Sequence, residues 1–156
     1  MNKILISYFS ASGVTKSVAS KISATLNGDL FEIVPQEKYS DEDLDWHNSN
    51  SRSSVEMNND AIRPKILNKI DNIFDYDTVL IGFPIWWDLP PRIINTFIEE
   101  NNLTNKKVYV FATSGGSTIS NSFNYLKHTY PNINFINGKL LSIYNVDENI
   151  KELLSK

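Results

Sequence analysis

The stretch KILISYFSASGVTKSVASKISATL, residues 3–26, contains the pattern that decides the fold. It begins with a mostly apolar run, Lys3 to Phe9, that ends at small polar residues, as a short buried strand does. From Val14 to Leu26, apolar residues recur at a spacing of four, which predicts one buried helix face. The stretch therefore forms a strand, a short loop and a helix.

The same alternation continues along the chain. Four further strands are predicted at residues 30–34, 77–83, 108–113 and 133–136, and further helices at 62–74, 91–101 and 120–130, with a last helix capped by Asp147. Continuous apolar strands that alternate with amphipathic helices indicate a five-stranded parallel sheet with helices on both faces, a three-layer α/β fold. Ligands bind such sheets outside the carboxyl ends of the strands. The length suits one domain, residues 1–156.

One segment, Gln36 to Asn59, interrupts the alternation because it is polar and rich in Ser, Asn and Asp. A stretch of this length without regular structure is uncommon in a compact domain, so it is either functional or partly disordered. A solvated surface loop is the other interpretation.

The composition excludes several functional classes. The chain has no cysteine, which excludes a disulfide framework, a thiol nucleophile and a cysteine-ligated metal site. The net charge of −3 argues against nucleic-acid binding, which needs a basic surface. No apolar run approaches the roughly 20 residues of a membrane span, and the N-terminal run is too short for a signal peptide. We expect a soluble, cytoplasmic protein.

Three loops that follow predicted strands carry the residues best suited to binding. The first, SASGVT at residues 10–15, joins the first strand to the first helix and offers three hydroxyls beside Gly13. Free N–H groups and a partial positive charge at a helix start favour an anion such as phosphate. The alternative is that the hydroxyls only cap the helix. The P-loop and dinucleotide motifs both need more glycines than this loop has.

The second loop, PIWWDLPP at residues 84–91, contains two adjacent tryptophans among three prolines. Adjacent side chains leave the backbone in different directions, so Trp86 and Trp87 cannot both enter one core. A rigid, exposed indole suits stacking on a planar ligand. The alternative is one core tryptophan and one at a protein interface.

The third loop, TSGGS at residues 113–117, contains two glycines. Glycine lets the backbone approach a ligand closely, so that free N–H groups can bond its polar edge. The alternative is an ordinary flexible turn.

Together the loops describe one ligand with a phosphate, a flat ring and a hydrogen-bonding ring edge, and flavin mononucleotide (FMN) fits this description. The sequence resembles the flavodoxin family, in particular bacterial flavodoxin-like proteins with FPIWW after the third strand. The motifs that carry the resemblance are YFSASGVT (8–15), GFPIWW (82–87) and ATSGGS (112–117), and the similarity extends from Lys3 to about Ile136. It implies strand order 2-1-3-4-5 with FMN at the switch point, for which flavodoxin is a standard example.

The resemblance also implies a role for each loop. Ser10, Ala11, Ser12, Gly13, Val14 and Thr15 would hold the FMN phosphate, Pro84, Ile85, Trp86 and Trp87 would stack on the isoalloxazine ring, and Thr113, Ser114, Gly115, Gly116 and Ser117 would bond its pyrimidine side. The stretch NSRSSVE at residues 50–56 is similar to a segment before a helix in these relatives. We expect this stretch to fold over the flavin, with Arg52 near the ring.

The chain differs from long-studied flavodoxins in the loop after the third strand. Those proteins have a glycine there, whose peptide turns over to bond N5 of the flavin, whereas this chain has no glycine between Gly82 and Gly115. Asp88 could take the positive φ at a cost of about 1–2 kcal/mol. The stability of one-electron-reduced flavin is therefore left open.

Two functions fit these observations. An electron carrier would dock with a reductase and an acceptor protein, helped by its mild negative charge. An oxidoreductase would use NAD(P)H to reduce a quinone or a similar small acceptor at the same loops. A receiver domain of this topology would need acidic residues at the strand ends, which Ser7 to Ser10 lack. We adopt the electron carrier, with the oxidoreductase as the alternative.

Overall fold

The computed structural model describes residues 3–114 and 116–156. Strands and helices alternate along this part of the chain as β1 (Ile4–Tyr8), α1 (Val14–Leu26), β2 (Asp29–Glu32), α2 (Arg52–Met57), a short 3-10 helix (Ile73–Asp75), β3 (Thr78–Pro84), α3 (Arg92–Glu100), β4 (Lys107–Thr113), α4 (Ser120–Thr129), β5 (Asn134–Leu140) and α5 (Val146–Leu154).

The five strands form one parallel sheet in the order β2-β1-β3-β4-β5. Side chains of successive strand residues point to opposite faces, so each central strand contributes to two cores. In β1, Leu5 packs with the helices α3 and α4, whereas Ile6 packs with α1 and α5. The predicted fold class, strand order and helical layers are confirmed.

Gly82 leaves room for an aromatic ring on one face of the sheet. Its neighbours across the ladders are Tyr8 on β1 and Phe111 on β4. The Phe111 ring lies over the glycine, because a Cβ built on Gly82 would stand 2.0 Å from Phe111 Cζ. The absence of a side chain at this position is therefore a packing requirement of the core.

The predicted helix at residues 62–74 is wrong: only the 3-10 helix Ile73–Asp75 forms there. The stretch is instead extended beside the end of β2, where Leu67 N donates to Val34 O and Gln36 N to Lys65 O. The Asn68 side chain completes the pairing, since its oxygen accepts from Val34 N and its nitrogen donates to Glu32 O. Ile66, Ile70 and Ile73 recur at a helix-like spacing because they pack against the core, and pairing with the sheet edge overrides the helix.

The polar segment at residues 36–59 contains the helix α2, which the sequence analysis did not predict. Ser51 caps this helix by accepting from Ser54 N, and the Ser54 hydroxyl donates to Asn48 O. At the other end, the buried guanidinium of Arg92 donates to the carbonyls of Glu56 and Met57. Both carbonyls lie at the end of the helix, where the Glu56 carbonyl also accepts from Asn59 N, so Arg92 fixes α2 to the rest of the fold.

Two predicted boundaries in the last third of the chain are also wrong. β5 continues to Leu140, four residues beyond the predicted end at Ile136, because an edge strand tolerates polar residues such as Asn137 and Lys139. The last helix begins at Val146, with Asn145 at its N-cap, so Asp147 lies in the first turn. Among the described residues, no helix has both the length and the apolar character needed to cross a membrane.

Replacing Gly82 by Ala should destabilise the fold, because the new methyl group collides with the buried Phe111 ring. Overpacking of this kind costs about 1–3 kcal/mol or more, which urea denaturation would measure as a lower midpoint. Gly116→Ala is the matched control, since a Cβ there meets no atom within 4 Å. Equal midpoints for the two variants would contradict the packing argument.

Candidate functional site

The loops after β1, β3 and β4 come together at the carboxyl edge of the sheet. This follows from the parallel pairing of the three strands, which places their carboxyl ends side by side. The strand order changes direction at β1, which lies between β2 and β3. Open α/β sheets bind their ligands at such a switch point.

In the loop after β1, several backbone N–H groups are free. Gly13 takes a φ of 97°, a left-handed conformation that favours glycine, immediately before α1 begins. The Ser10 hydroxyl accepts from the amides of Gly13 and Lys16, both at 3.1 Å. The amides of Ser12, Val14 and Thr15 have no acceptor within the described part of the chain. Such a helix start can bind an anion.

The hydroxyls in and beside this loop divide into two groups. Ser12 of the loop and Ser17 of α1 line a cavity, and the Ser17 hydroxyl donates to Gly13 O. Ser10 uses its hydroxyl within the loop, and Thr15 is buried with its hydroxyl 2.9 Å from that of Thr113. The last contact joins the loop after β1 to the end of β4.

The loop after β3 is a tight turn with two residues at positive φ. The amide of Trp86 donates to Leu89 O and the amide of Leu89 donates to Trp86 O, both at 3.0 Å. The backbone φ is 48° at Trp87 and 63° at Asp88. Positive φ at both central positions is the pattern of a type I′ turn. Ser122 of α4 holds the turn by donating to Asp88 O. Asp88 therefore takes the positive φ that the sequence analysis considered for it, and Trp87 takes one too.

The two tryptophans of this turn have different environments. Trp86 is partly buried and packs edge-on against Phe9 and Tyr39, at ring-centroid distances of 5.8 and 5.4 Å. Trp87 is 49% exposed. They do not share one core, as the sequence analysis expected.

In the loop after β4, the Ser114 hydroxyl accepts from the amides of Gly116 and Ser117. Thr113 is buried at the end of the strand. Gly115, which the sequence analysis assigned to the same site, lies outside the described residues.

Two adjoining cavities open between these loops. The large cavity, about 860 Å³, begins at the loop after β1 and extends between the ends of β3 and β4; it is lined by Ser12, Gly13, Val14, Ser17, Pro84, Ile85, Trp86, Thr113, Ser114, Leu141, Ser142, Ile143 and Tyr144. The small cavity, about 550 Å³, is lined by Leu44, Trp46, Ser53, Ile85, Trp86, Trp87, Ser114, Gly116 and Ser117. They share Ile85, Trp86 and Ser114.

Most residues that the sequence analysis selected line one of these cavities. Ser10, Ala11 and Thr15 do not, although they belong to the loop after β1. Arg52 lies elsewhere, in a separate cavity with Gln36 and Glu37 among its lining residues.

Arg52 contacts the site only through other side chains. Its guanidinium bonds Glu56 at 2.9 Å and lies 3.8 Å from the centre of the Tyr39 ring, which packs against Trp86. The Tyr39 hydroxyl donates to Glu56. Burial, together with this hydrogen bond, raises the pKa of Tyr39 well above its usual value, so the phenol remains a donor.

Two groups of lining residues were missed from the sequence. Leu141 to Tyr144 follow β5, and a correct end for that strand would have placed them at the carboxyl edge. The polar segment contributes Leu44, Trp46 and Ser53. Of these, only Trp46 could have indicated a binding site in the sequence, because a large aromatic residue is unusual in such a stretch.

The two cavities have uncharged walls. None of the described lining residues is Asp, Glu, His, Lys or Arg. Outside the cavity walls, Lys16 forms an ion pair with Glu32, and burial beside Glu32 raises the pKa of Tyr8 to about 12. The described walls thus hold no acid or base that titrates near neutrality. A bound cofactor would have to supply the reactive chemistry.

Comparisons with known proteins agree with this geometry. A family model described as flavodoxin matches residues 3–156. A candidate flavoprotein from Bacteroides eggerthii is 50% identical, with a TM-score of 0.93 and coverage of 100% of both chains. A second candidate flavoprotein, from Bacteroides uniformis, is 48% identical with a TM-score of 0.93, over 96% of this chain and 98% of that one. No curated protein matches the chain.

One similar structure contains a ligand. A flavoprotein from Lactobacillus acidophilus, solved in complex with FMN, is 27% identical with a TM-score of 0.76, over 95% of this chain and 98% of that one. Its ligand is the cofactor expected from the sequence. The family match over almost the entire length, the strand order and the loops at the carboxyl edge lead to one conclusion: this chain belongs to the flavodoxin family.

Proposed function

We propose that this protein binds FMN in the large cavity and acts as a cytoplasmic electron carrier between partner proteins. The observation that carries the proposal is the arrangement of that cavity. Free amide donors at the start of α1 lie at one end, and uncharged walls with aromatic residues form the remainder. FMN has matching parts, a phosphate and a flat ring.

The phosphate would bind at the loop after β1. The free amides of Ser12, Val14 and Thr15 are its donors, and the partial positive charge at the start of α1 adds to the attraction. No acidic residue occurs in the first turn of α1 to oppose an anion. The hydroxyl of Ser12, which lines the cavity, completes this part of the site, whereas the Ser17 hydroxyl donates to Gly13 O.

The ring would lie beside the loops after β3 and β4. Trp86 is held by its edge-on contacts with Phe9 and Tyr39, so it offers a rigid aromatic surface next to Ile85. The backbone of Ser114, which lines the large cavity, supplies polar groups for the ring edge, while the amides of Gly116 and Ser117 donate to the Ser114 hydroxyl. FMN would supply the redox chemistry, and the protein would supply position and hydrogen bonds.

The electron carrier is favoured by the charge of the site. No described Lys, Arg or His lines either cavity, so the phosphates of a pyridine nucleotide would find no donors there beyond the amides that the FMN phosphate would already occupy. The net charge of −3 would favour docking to positive surfaces of partner proteins. The adjoining small cavity favours a second candidate function, an oxidoreductase that passes electrons from FMN to a small acceptor.

Arg52 would be a positioning residue for Trp86. The guanidinium stacks on Tyr39 and pairs with Glu56, and Tyr39 supports the Trp86 ring. This role replaces the expected position near the ring.

Replacing Ser12 by Ala should weaken FMN binding about tenfold or more, because a hydrogen bond to a charged group contributes about 1.5–3 kcal/mol. The dissociation constant is obtained by titrating the apoprotein with FMN and following flavin fluorescence. Ser20→Ala, an exposed serine on the same helix, should bind FMN like the wild type. If Ser12→Ala also binds FMN like the wild type, Ser12 does not contact the phosphate.

Replacing Arg52 by Ala should lower the unfolding free energy by about 1–3 kcal/mol, since it leaves the buried Glu56 without its charged partner. FMN binding should weaken only a few-fold. Arg52→Lys should recover part of the stability but not the flat contact with Tyr39. A large loss of FMN affinity at unchanged stability would instead indicate direct contact between Arg52 and the cofactor.

Stepwise anaerobic reduction of the FMN-loaded protein should distinguish the two candidate functions. For an electron carrier, dithionite bleaches the visible flavin spectrum, whereas NADH and NADPH leave it unchanged over the same time. Rapid bleaching by either nucleotide would replace the carrier with the oxidoreductase. The same titration reports whether one-electron-reduced flavin accumulates.

A further inference from the structure

The loop after β5 has no role in the proposed binding of FMN, although its residues 141–144 line the large cavity. Two side chains of this loop are exposed, Ile143 to 37% and Tyr144 to 92%. Tyr144 therefore buries almost none of its ring in the folded protein. A large aromatic ring exposed at a cavity gains free energy when a ligand removes it from water.

Hydrogen bonds fix the backbone that carries the exposed ring. Ser142 N donates to Asn145 Oδ1 at 2.7 Å, and Asn145 N donates to Ser142 O at 3.1 Å. From α1, the Lys21 ammonium donates to Ile143 O at 2.9 Å. Because this backbone is already ordered, contact between Tyr144 and a ligand would cost little further conformational entropy.

The loops that carry Trp86 and Tyr144 begin on opposite sides of one strand. Trp86 follows β3 and Tyr144 follows β5, and β4 lies between these two strands in the sheet. The end of β4 contributes Thr113 and Ser114 to the wall of the same cavity. A flat ring bound at the end of β4 would therefore have an aromatic side chain toward each side.

The width of the sheet suits a long ligand that is anchored at the loop after β1. Neighbouring strands lie about 4.8 Å apart, so the ends of β1 and β5, which are three positions apart, are separated by roughly 14 Å. The amide donors for an anion lie at the β1 end of this distance. A phosphate bound there would leave the rest of the ligand to extend toward β4 and β5.

We infer that Tyr144 contacts the flat ring of FMN from the side of β5 and helps to hold the cofactor in the large cavity. The contact joins one ring to another, so it needs the aromatic ring of Tyr144 but not its hydroxyl. This inference rests on the proposed function, because the ring belongs to the cofactor proposed for that cavity.

The test compares Tyr144→Ala, Tyr144→Phe and Phe74→Ala with the wild type. Each apoprotein is titrated with FMN and with riboflavin, which has the same ring but no phosphate, and flavin fluorescence gives the dissociation constants. Phe74→Ala is the control, because the Phe74 ring is also exposed, to 79%, but does not line the cavity. The melting temperature of each apoprotein should match that of the wild type, because neither ring is buried.

Tyr144→Ala should weaken the binding of FMN and of riboflavin by the same factor, about two- to tenfold, the scale of one aromatic contact. Tyr144→Phe keeps the ring and should bind both ligands like the wild type. Phe74→Ala should also bind both ligands like the wild type.

Nitration by tetranitromethane, followed by peptide mass spectrometry, gives a second measurement. The reagent modifies accessible tyrosines, and the chain has no cysteine to compete for it. Tyr144 should react readily in the apoprotein, and saturating FMN should slow its nitration several-fold. Tyr130, at the end of α4 and outside the cavity, should react at the same rate with and without FMN.

Three results would overturn the inference: equal FMN binding by Tyr144→Ala and the wild type, unchanged nitration of Tyr144 in the FMN-loaded protein, or weaker binding of FMN with unchanged binding of riboflavin. The third would place Tyr144 at the phosphate instead of the ring. Failure of the proposed function looks different, because the wild type itself would then bind no FMN. That result would reject the inference together with the function on which it rests.

Discussion

The position of the long segment over the carboxyl edge depends on the buried guanidinium of Arg92. This side chain is 3% exposed, and a buried cation without partners would be very costly. Its partners are the carbonyls of Glu56 and Met57 and the carboxylate of Asp60, all of which belong to the connection between β2 and β3. Because Arg92 begins α3, two prolines after the tryptophan turn (residues 86–89), its guanidinium links that turn to the segment that carries Ser53.

In the candidate site, backbone groups and uncharged side chains have separate roles. Hydroxyls of Ser10, Ser114 and Ser122 hold the loops by bonding backbone groups, which leaves other amides free at the cavity. The tryptophan turn keeps two residues at positive φ, a strained arrangement that surrounding contacts must maintain. Such walls fix the position of a bound molecule without adding an acid or a base, as expected where a flavin carries the electrons.

Patterns that depend on local sequence were predictable, and those that depend on distant partners were not. The strands from Lys3, Asp77 and Val108 follow directly from continuous apolar runs, and the loops after them contained most of the cavity lining. The helix at 62–74 failed because Asn68 and its neighbours pair with β2, a contact that periodicity does not contain. The short helix α2 depends on Arg92, more than 30 residues away, for its final carbonyls. The position of Ser53 in a cavity wall follows from the folded structure, and no pattern in the sequence indicates it.

The extended segment beside β2 has a consequence for the solubility of the protein at high concentration. An open sheet has two outer strands whose unpaired backbone groups can recruit another chain. Here residues 65–68 and the Asn68 amide occupy groups at and just beyond the end of β2, and so blunt that edge. The opposite edge, β5, carries Lys139 and an irregular register opposite Val108 and Tyr109. Charge and irregular pairing both discourage strand-by-strand growth, so neither edge offers a flat template for aggregation.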